Sequence, residues 1–225
     1  MNILALETAT DPGSAALWLD GKVRQAICPD ALSNSETLLP EAMLLLEKAG
    51  LDFSALDAIA FGAGPGSFTG LRVSCALAQG IAIARGLPLI AVGTLEAMAF
   101  SSGFEKVIAI QDARMNEVYC GFFINGIQEG ELHVSPPEEM PLPDSGSWAA
   151  IGNALDVYPE LHERLDPFVE KWDEKCMPSA EAVVRLAAVK FAKGECLDPA
   201  NALPLYVRNK VAKTIEERMA EGGRA

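Results

Sequence analysis

Four glycines and a proline fall within the nine residues Gly62-Ala63-Gly64-Pro65-Gly66-Ser67-Phe68-Thr69-Gly70. A backbone so poor in side chains can turn abruptly and pass close to other segments. The stretch therefore reads as a tight passage from a strand, Asp57 to Phe61, into a helix running from Leu71 to about Arg85. Such a loop exposes N–H groups at a helix N-terminus, where the macrodipole favours an anion. No lysine follows to make a P-loop, and no acidic residue closes the next strand to make a dinucleotide fingerprint. Two readings stay open, phosphate binding and a purely structural crossover.

The elements around this loop follow a repeating order. Ile3 to Ala9 is a short apolar run like a buried strand, followed by Ser14 to Leu19, an Asp20-Gly21 turn, and Val23 to Cys28. Leu38, Leu39, Ala42, Met43, Leu45 and Leu46 then recur at helical spacing, with Ser33 or Ser35 as N-cap and Gly50 as the stop. Pro40 is expected in the first turns of that helix, where it costs least. Leu87 to Val92 reads as a strand, and Thr94 caps a helix to about Phe100. After Ser101-Ser102-Gly103 the three-strand opening recurs at Lys106 to Gln111, Glu117 to Ile124 and Gln128 to Val134. Ser135 to Ser147 is a surface loop, Trp148 to Ile151 a short strand, and Ser179 caps a helix to about Lys193. The order predicts an α/β fold of two ribonuclease-H-like lobes, mixed sheets flanked by helices, of the actin, Hsp70 and sugar-kinase kind. The expected division is 1–102 and 103–225, with the last segment available to pack back on the first lobe.

Half of the 225 residues are hydrophobic and 22% are charged, which excludes disorder and suits two lobes. Thirty-one acidic against 18 basic residues give a formal charge of −13, so the surface as a whole repels phosphate backbones and contact with RNA is expected to be indirect. The five cysteines are scattered, without a zinc or redox pair, and read as reduced, mostly buried thiols. The N-terminus reads as a strand rather than a signal peptide, and the apolar run Val73 to Ala84 is too short to cross a bilayer; a soluble, cytoplasmic chain is expected.

Catalytic parts are few. His133 and His162 stand outside any motif, and no metal-binding or serine-hydrolase pattern is present. Glu7, Asp11 and Asp112 could serve a magnesium nucleotide, but isolated carboxylates are usually solvated groups. Asp112-Ala113-Arg114-Met115-Asn116-Glu117-Val118-Tyr119 puts charges near the expected cleft, either as a nucleotide or partner contact or as a surface turn pair. Between Leu71 and Ala84 the only charge is Arg72, and a helix apolar on all sides must be buried all round. With the preceding helix it offers surplus apolar surface, which either the lobe core or a second chain must cover.

Leu4-Ala5-Leu6-Glu7-Thr8-Ala9-Thr10, the Gly62 to Val73 stretch, Asp112 to Tyr119, and Pro204-Leu205-Tyr206-Val207-Arg208-Asn209-Lys210-Val211-Ala212 together resemble the TsaB (YeaZ) family, in order along nearly the whole chain. That resemblance implies a non-catalytic partner and activator of the paralogous TsaD in threonylcarbamoyl transfer to the adenosine beside the tRNA anticodon, with TsaE joining the pair. It implies helix-mediated pairing, with TsaD or as a homodimer when alone, for which Leu38, Leu39, Met43, Leu46, Val73, Ser74, Leu77, Ala78 and Ile81 are the candidates. An actin-like ATPase using Thr8, Thr10, Gly64, Gly66, Ser67, Asp112 and Arg114 is the alternative, and a glycoprotease-like peptidase a further one. No tightly bound cofactor or metal is expected, with ATP or ADP considered only at a joint interface. The paralogue's H-x-x-x-H metal pair falls at Thr94 and Met98. Glu7, Asn34 and Ala63 stand where the family pattern has Asp, His and Arg.

Overall fold

A computed structural model describes residues 1–29 and 33–207. The first half contains β1 (Asn2–Glu7), β2 (Ser14–Leu19), β3 (Lys22–Ile27), α1 (Asn34–Lys48), β4 (Ala58–Gly64), α2 (Phe68–Arg85), β5 (Leu89–Gly93) and α3 (Thr94–Ser102). The second contains β6 (Lys106–Arg114), β7 (Glu117–Ile124), β8 (Ile127–Ser135), β9 (Trp148–Ile151), α4 (Ala154–Val157), α5 (Glu160–Leu165), β10 (Val169–Asp173) and α6 (Ala180–Ala192). The sheets run β3-β2-β1-β4-β5 and β8-β7-β6-β9-β10. In each, an antiparallel three-strand meander is extended by two parallel strands. One ribonuclease-H-like topology is thus used twice, and the α/β two-lobe expectation holds.

β1 is buried on both faces, so its sequence is apolar throughout rather than alternating. Leu4 and Leu6 meet α1 and α2 through Leu38, Ala42, Leu45, Cys75 and Ala78, whereas Ile3 and Ala5 meet α6 through Val183, Val184 and Ala187. On the second sheet, α4 and α5 cover Ile108, Ile110 and Cys120. The opposite face, with Val107, Ala109 and Ile151, receives Leu95, Met98 and Ala99 of α3. Each half therefore lends a helix to the other's sheet, and Lys190 of α6 pairs with Glu96 of α3 at 3.1 Å.

The chain after α6 also returns to the first sheet. The amide of Leu89 donates to the Leu197 carbonyl at 3.0 Å, Gln79 Nε2 donates to the carbonyls of Pro199 and Ala202, and the amide of Leu205 donates to Ala63 O at 2.6 Å. Arg208, Lys210 and Lys213, and the rest of the charged tail, lie outside the described residues.

The glycine-rich passage is shorter than its composition suggests. β4 continues through Gly64 and α2 begins at Phe68, leaving Pro65, Gly66 and Ser67 as the link. Ser67 Oγ accepts from the Gly70 amide at 3.2 Å and caps α2. Pro40 is the seventh residue of α1, past the first turns, because the helix is capped at Ser33. Thr94 opens α3 but does not cap it; the Gly93 amide is satisfied by the Glu96 carboxylate at 3.2 Å. The stretch 152–178, where the sequence shows no clear period, holds two short helices and β10.

Gly70 illustrates why the passage is glycine-rich. A Cβ there would overlap the Thr8 carbonyl oxygen, which belongs to β1's own exit and cannot swing aside. Gly70→Ala should lower stability by about 2 kcal/mol or more, as overpacking against rigid backbone does, and urea unfolding of the purified chain reads this directly.

Candidate functional site

The two lobes leave a cleft of about 420 Å³ whose walls come from the β1–β2 loop, the start of α2, the β6–β7 turn, Asn153, and the chain segment Leu205 to Val207. The first-lobe wall is pinned by three contacts. Thr8 Oγ1 donates to Gly70 O at 2.7 Å, the Ser67 amide donates to Ala9 O at 2.9 Å, and Asn34 bridges the Gly13 amide (2.9 Å) and Asp11 Oδ1 (2.7 Å). On the second lobe, Asp112 is held by the Tyr158 hydroxyl at 3.0 Å, the Arg114 amide at 2.9 Å and the Arg114 guanidinium at 3.3 Å. Burial, and then the hydrogen bond to Asp112, push the Tyr158 phenol up to about 12. Arg114, Met115 and Asn116 all adopt positive φ, an uncommon state for residues with side chains.

Of the residues proposed from sequence for a nucleotide, Thr10, Gly66, Ser67, Asp112 and Arg114 line this cleft. Thr8 does not: it is buried and spends its hydroxyl on Gly70. Gly64 does not either, since Leu205 O lies over it, 2.8 Å from where a Cβ would stand. The structure adds Gln111, 2% exposed, on the cleft wall, with an Oε1 that has no hydrogen-bond partner. Its position was readable in outline: Val107, Ala109 and Gln111 form one face of an alternating strand, and the third is polar.

Glu7 lies behind the cleft and off its wall. Its Oε1 accepts from the Ala9 amide at 2.5 Å and its Oε2 has no partner, while Gly62 passes so close that a Cβ there would strike the carboxylate. Burial, only partly opposed by the amides of Ala9 and Thr8, pushes the carboxyl up to about 7. Thr94 and Met98 are fully buried on α3. Among the described residues, no group of three His, Cys, Asp or Glu is arranged to hold a metal ion. His162 stacks on Trp172 at 4.4 Å, and His133 is in β8; neither lines the cleft.

The helix-pair candidates divide by burial. Leu38, Leu46, Ser74, Ala78 and Ile81 face the chain's own core and have almost no surface to offer. Leu39 and Met43 are exposed, at 37% and 53%, and Val73 and Leu77 are half-buried. Leu44 of α1 and Ile83 of α2 are also exposed, at 38% and 66%; Ile83 is not marked in the sequence because α2 is apolar on every side.

Fold and site together define a duplicated ribonuclease-H-like protein with a small inter-lobe cleft and a helix pair whose outer apolar side chains are exposed among the described residues. A family model described as TsaD, tRNA N6-adenosine threonylcarbamoyltransferase, matches residues 27–147. The chain is 37% identical to the tRNA threonylcarbamoyladenosine biosynthesis protein TsaB of Escherichia coli strain K12, over 94% of this chain and 96% of that protein. It is 30% identical to the Haemophilus influenzae protein of the same name, over 94% and 95% respectively. A solved structure, YeaZ from Pseudomonas aeruginosa, superposes with a TM-score of 0.82 at 35% identity and covers 91% of this chain and 99% of that one. The chain belongs to the TsaB (YeaZ) family. Among the described residues, no helix is long and apolar enough to cross a membrane.

The Glu7 carboxyl makes stability depend on pH. Its folded pKa stands above its unfolded value, so it costs nothing where both states are protonated, below about pH 4.5. The cost grows as pH rises and is complete above about 7, on the order of 3 kcal/mol. Glu7→Gln should therefore raise the melting temperature at pH 8 and leave it nearly unchanged at pH 4, as calorimetric scans across that range would show.

Proposed function

We propose that this chain is a non-catalytic subunit in tRNA threonylcarbamoyladenosine biosynthesis, docking on a TsaD-type transferase through the outer face of α1 and α2. Membership of the TsaB family supports the pathway; the geometry of that face supports docking as the means. The observation that carries it is Gly80. A glycine in a helix interior costs about 1 kcal/mol relative to alanine, and a Cβ at this position would meet nothing within 4 Å. Nothing among the described residues requires it. A second helix lying close against α2 would, and Ala76 and Ala84, one turn to either side, are also small and exposed.

The same two helices expose Leu39 and Met43 on α1 and Ile83 on α2, with Val73 and Leu77 half-buried, enough apolar side chain to anchor a partner once desolvated. The same face would pair two copies when no TsaD is present, and TsaE would join the assembled pair. Binding energy spent on holding the transferase in a productive lobe arrangement is all the chemistry this role requires. The ATPase alternative loses Thr8 and Gly64 from the cleft wall. The peptidase alternative finds no histidine there.

Two substitutions separate docking from folding. Leu39→Asp should leave the melting temperature within about 2 °C and weaken the TsaD complex by more than a hundredfold, as a buried unpaired charge at an interface does. Gly80→Leu should behave likewise, whereas Gly80→Ala should stabilise the isolated chain by about 1 kcal/mol. Titration calorimetry against purified TsaD checks both. Undiminished affinity in Leu39→Asp and Gly80→Leu would place the contact on another face.

A further inference from the structure

We infer that the partner seated on α1 and α2 also grips the strap of chain that follows α6, residues 199–206, with Leu203 as the anchor. This rests on the proposed docking role and extends its surface to a third element. The strap is laid along α2 by side-chain bonds. Gln79 Nε2 donates to Pro199 O at 2.9 Å and to Ala202 O at 3.0 Å, Cys75 Sγ donates to Ala202 O at 3.8 Å, and Arg72 Nε donates to the Tyr206 hydroxyl at 3.2 Å. Arg72, Cys75 and Gln79 follow one another at spacings of three and four and so form one edge of the helix. Ala76 and Ile83 stand three residues before and four after Gln79, which makes them its surface neighbours, and both are exposed. A body resting on the outer side of α2 therefore meets the strap beside it.

Leu203 is 75% exposed, the largest exposure of any large apolar side chain among the described residues. A single exposed leucine is ordinary by itself. This one is presented by a backbone held on both sides. Upstream, Asp198 Oδ1 accepts from the Ala200 amide at 2.9 Å and caps a single 3-10 turn, Pro199–Asn201. Downstream, the Leu205 amide donates to Ala63 O at 2.6 Å. Ala202 is extended and fully buried, so the next side chain points the opposite way, out of the molecule. Pro204 then confines Leu203 to extended backbone. A segment ordered in advance loses little freedom when a partner covers it, so most of the gain from burying Leu203 is kept as affinity. The chemistry of the occupant follows from the same stretch. In a chain with 22% charged residues, 199–206 carries no charge and turns Leu203 and Leu205 outward, at 75% and 44%, so it fits an apolar patch on the transferase.

The test titrates the full chain against purified TsaD by calorimetry. Leu203→Ala should weaken the complex about tenfold and Leu203→Asp about thirtyfold or more. Both variants should melt within about 2 °C of the wild type, since the side chain lies outside the core. Ile127→Asp, at a side chain that is 67% exposed at the start of β8, should bind TsaD like the wild type and so controls for the loss of an exposed apolar group elsewhere. A chain with p-benzoylphenylalanine in place of Leu203 should cross-link to TsaD on irradiation, a readout of contact that a folding defect cannot imitate. Wild-type affinity in Leu203→Asp, or no cross-link from position 203, overturns the inference. If Leu39→Asp and Gly80→Leu weaken the complex in that same series, the strap alone fails and the proposed function stands. If Leu203→Asp weakens it while those two bind like the wild type, the strap is a contact and the docking reading is what fails.

Discussion

The rest of the molecule is arranged around the crossing of β1's exit by the glycine passage. Thr8 and Ala9 leave the central strand of the first sheet and are at once bonded to Gly70 and Ser67, across a gap too narrow for a Cβ at Gly66 or Gly70. That contact sets where α2 starts and how it lies on the sheet. One consequence is the cleft, whose floor is the α2 N-terminus; the other is the outer face, whose strip of small residues is the far side of the same helix. A change of side-chain volume in the passage would therefore be felt at both.

Reciprocal helix exchange gives the two lobes a shared middle layer. α3 belongs to the first half by sequence and covers the second sheet, while α6 does the reverse, and the Lys190–Glu96 pair joins them. Thr94 and Met98, where the paralogue's metal pair aligns, are part of that layer and are fully packed.

Much of this was legible in the sequence, and the gaps have physical causes. The strand order, the first two helices and the duplication follow from the period and punctuation of the apolar residues. The phase of α2 did not, because a helix rich in small apolar residues on every side gives no moment to orient it; Ser74 and Ala78 point inward, and Ala76 and Gly80 outward. Residues 152–178 escaped notice because elements of four to six residues are shorter than the window over which a period can be recognised. Gln111 stands beside the charged Asp112 to Tyr119 stretch, but a polar residue on the buried face of an apolar strand is the stronger sign. Glu7 was read as a departure from the family pattern, and only its burial shows that it lies behind the cleft.

The central claim, that this chain supports a transferase rather than acting as one, is tested most directly by threonylcarbamoyl transfer to unmodified tRNA. TsaD, TsaE and the carbamoyl-adenylate supply would be incubated with and without the chain, and modified adenosine quantified by mass spectrometry after nuclease digestion. Modification that requires the wild-type chain and is lost with the Leu39→Asp variant is the predicted result. Modification proceeding equally well without the chain would contradict the account.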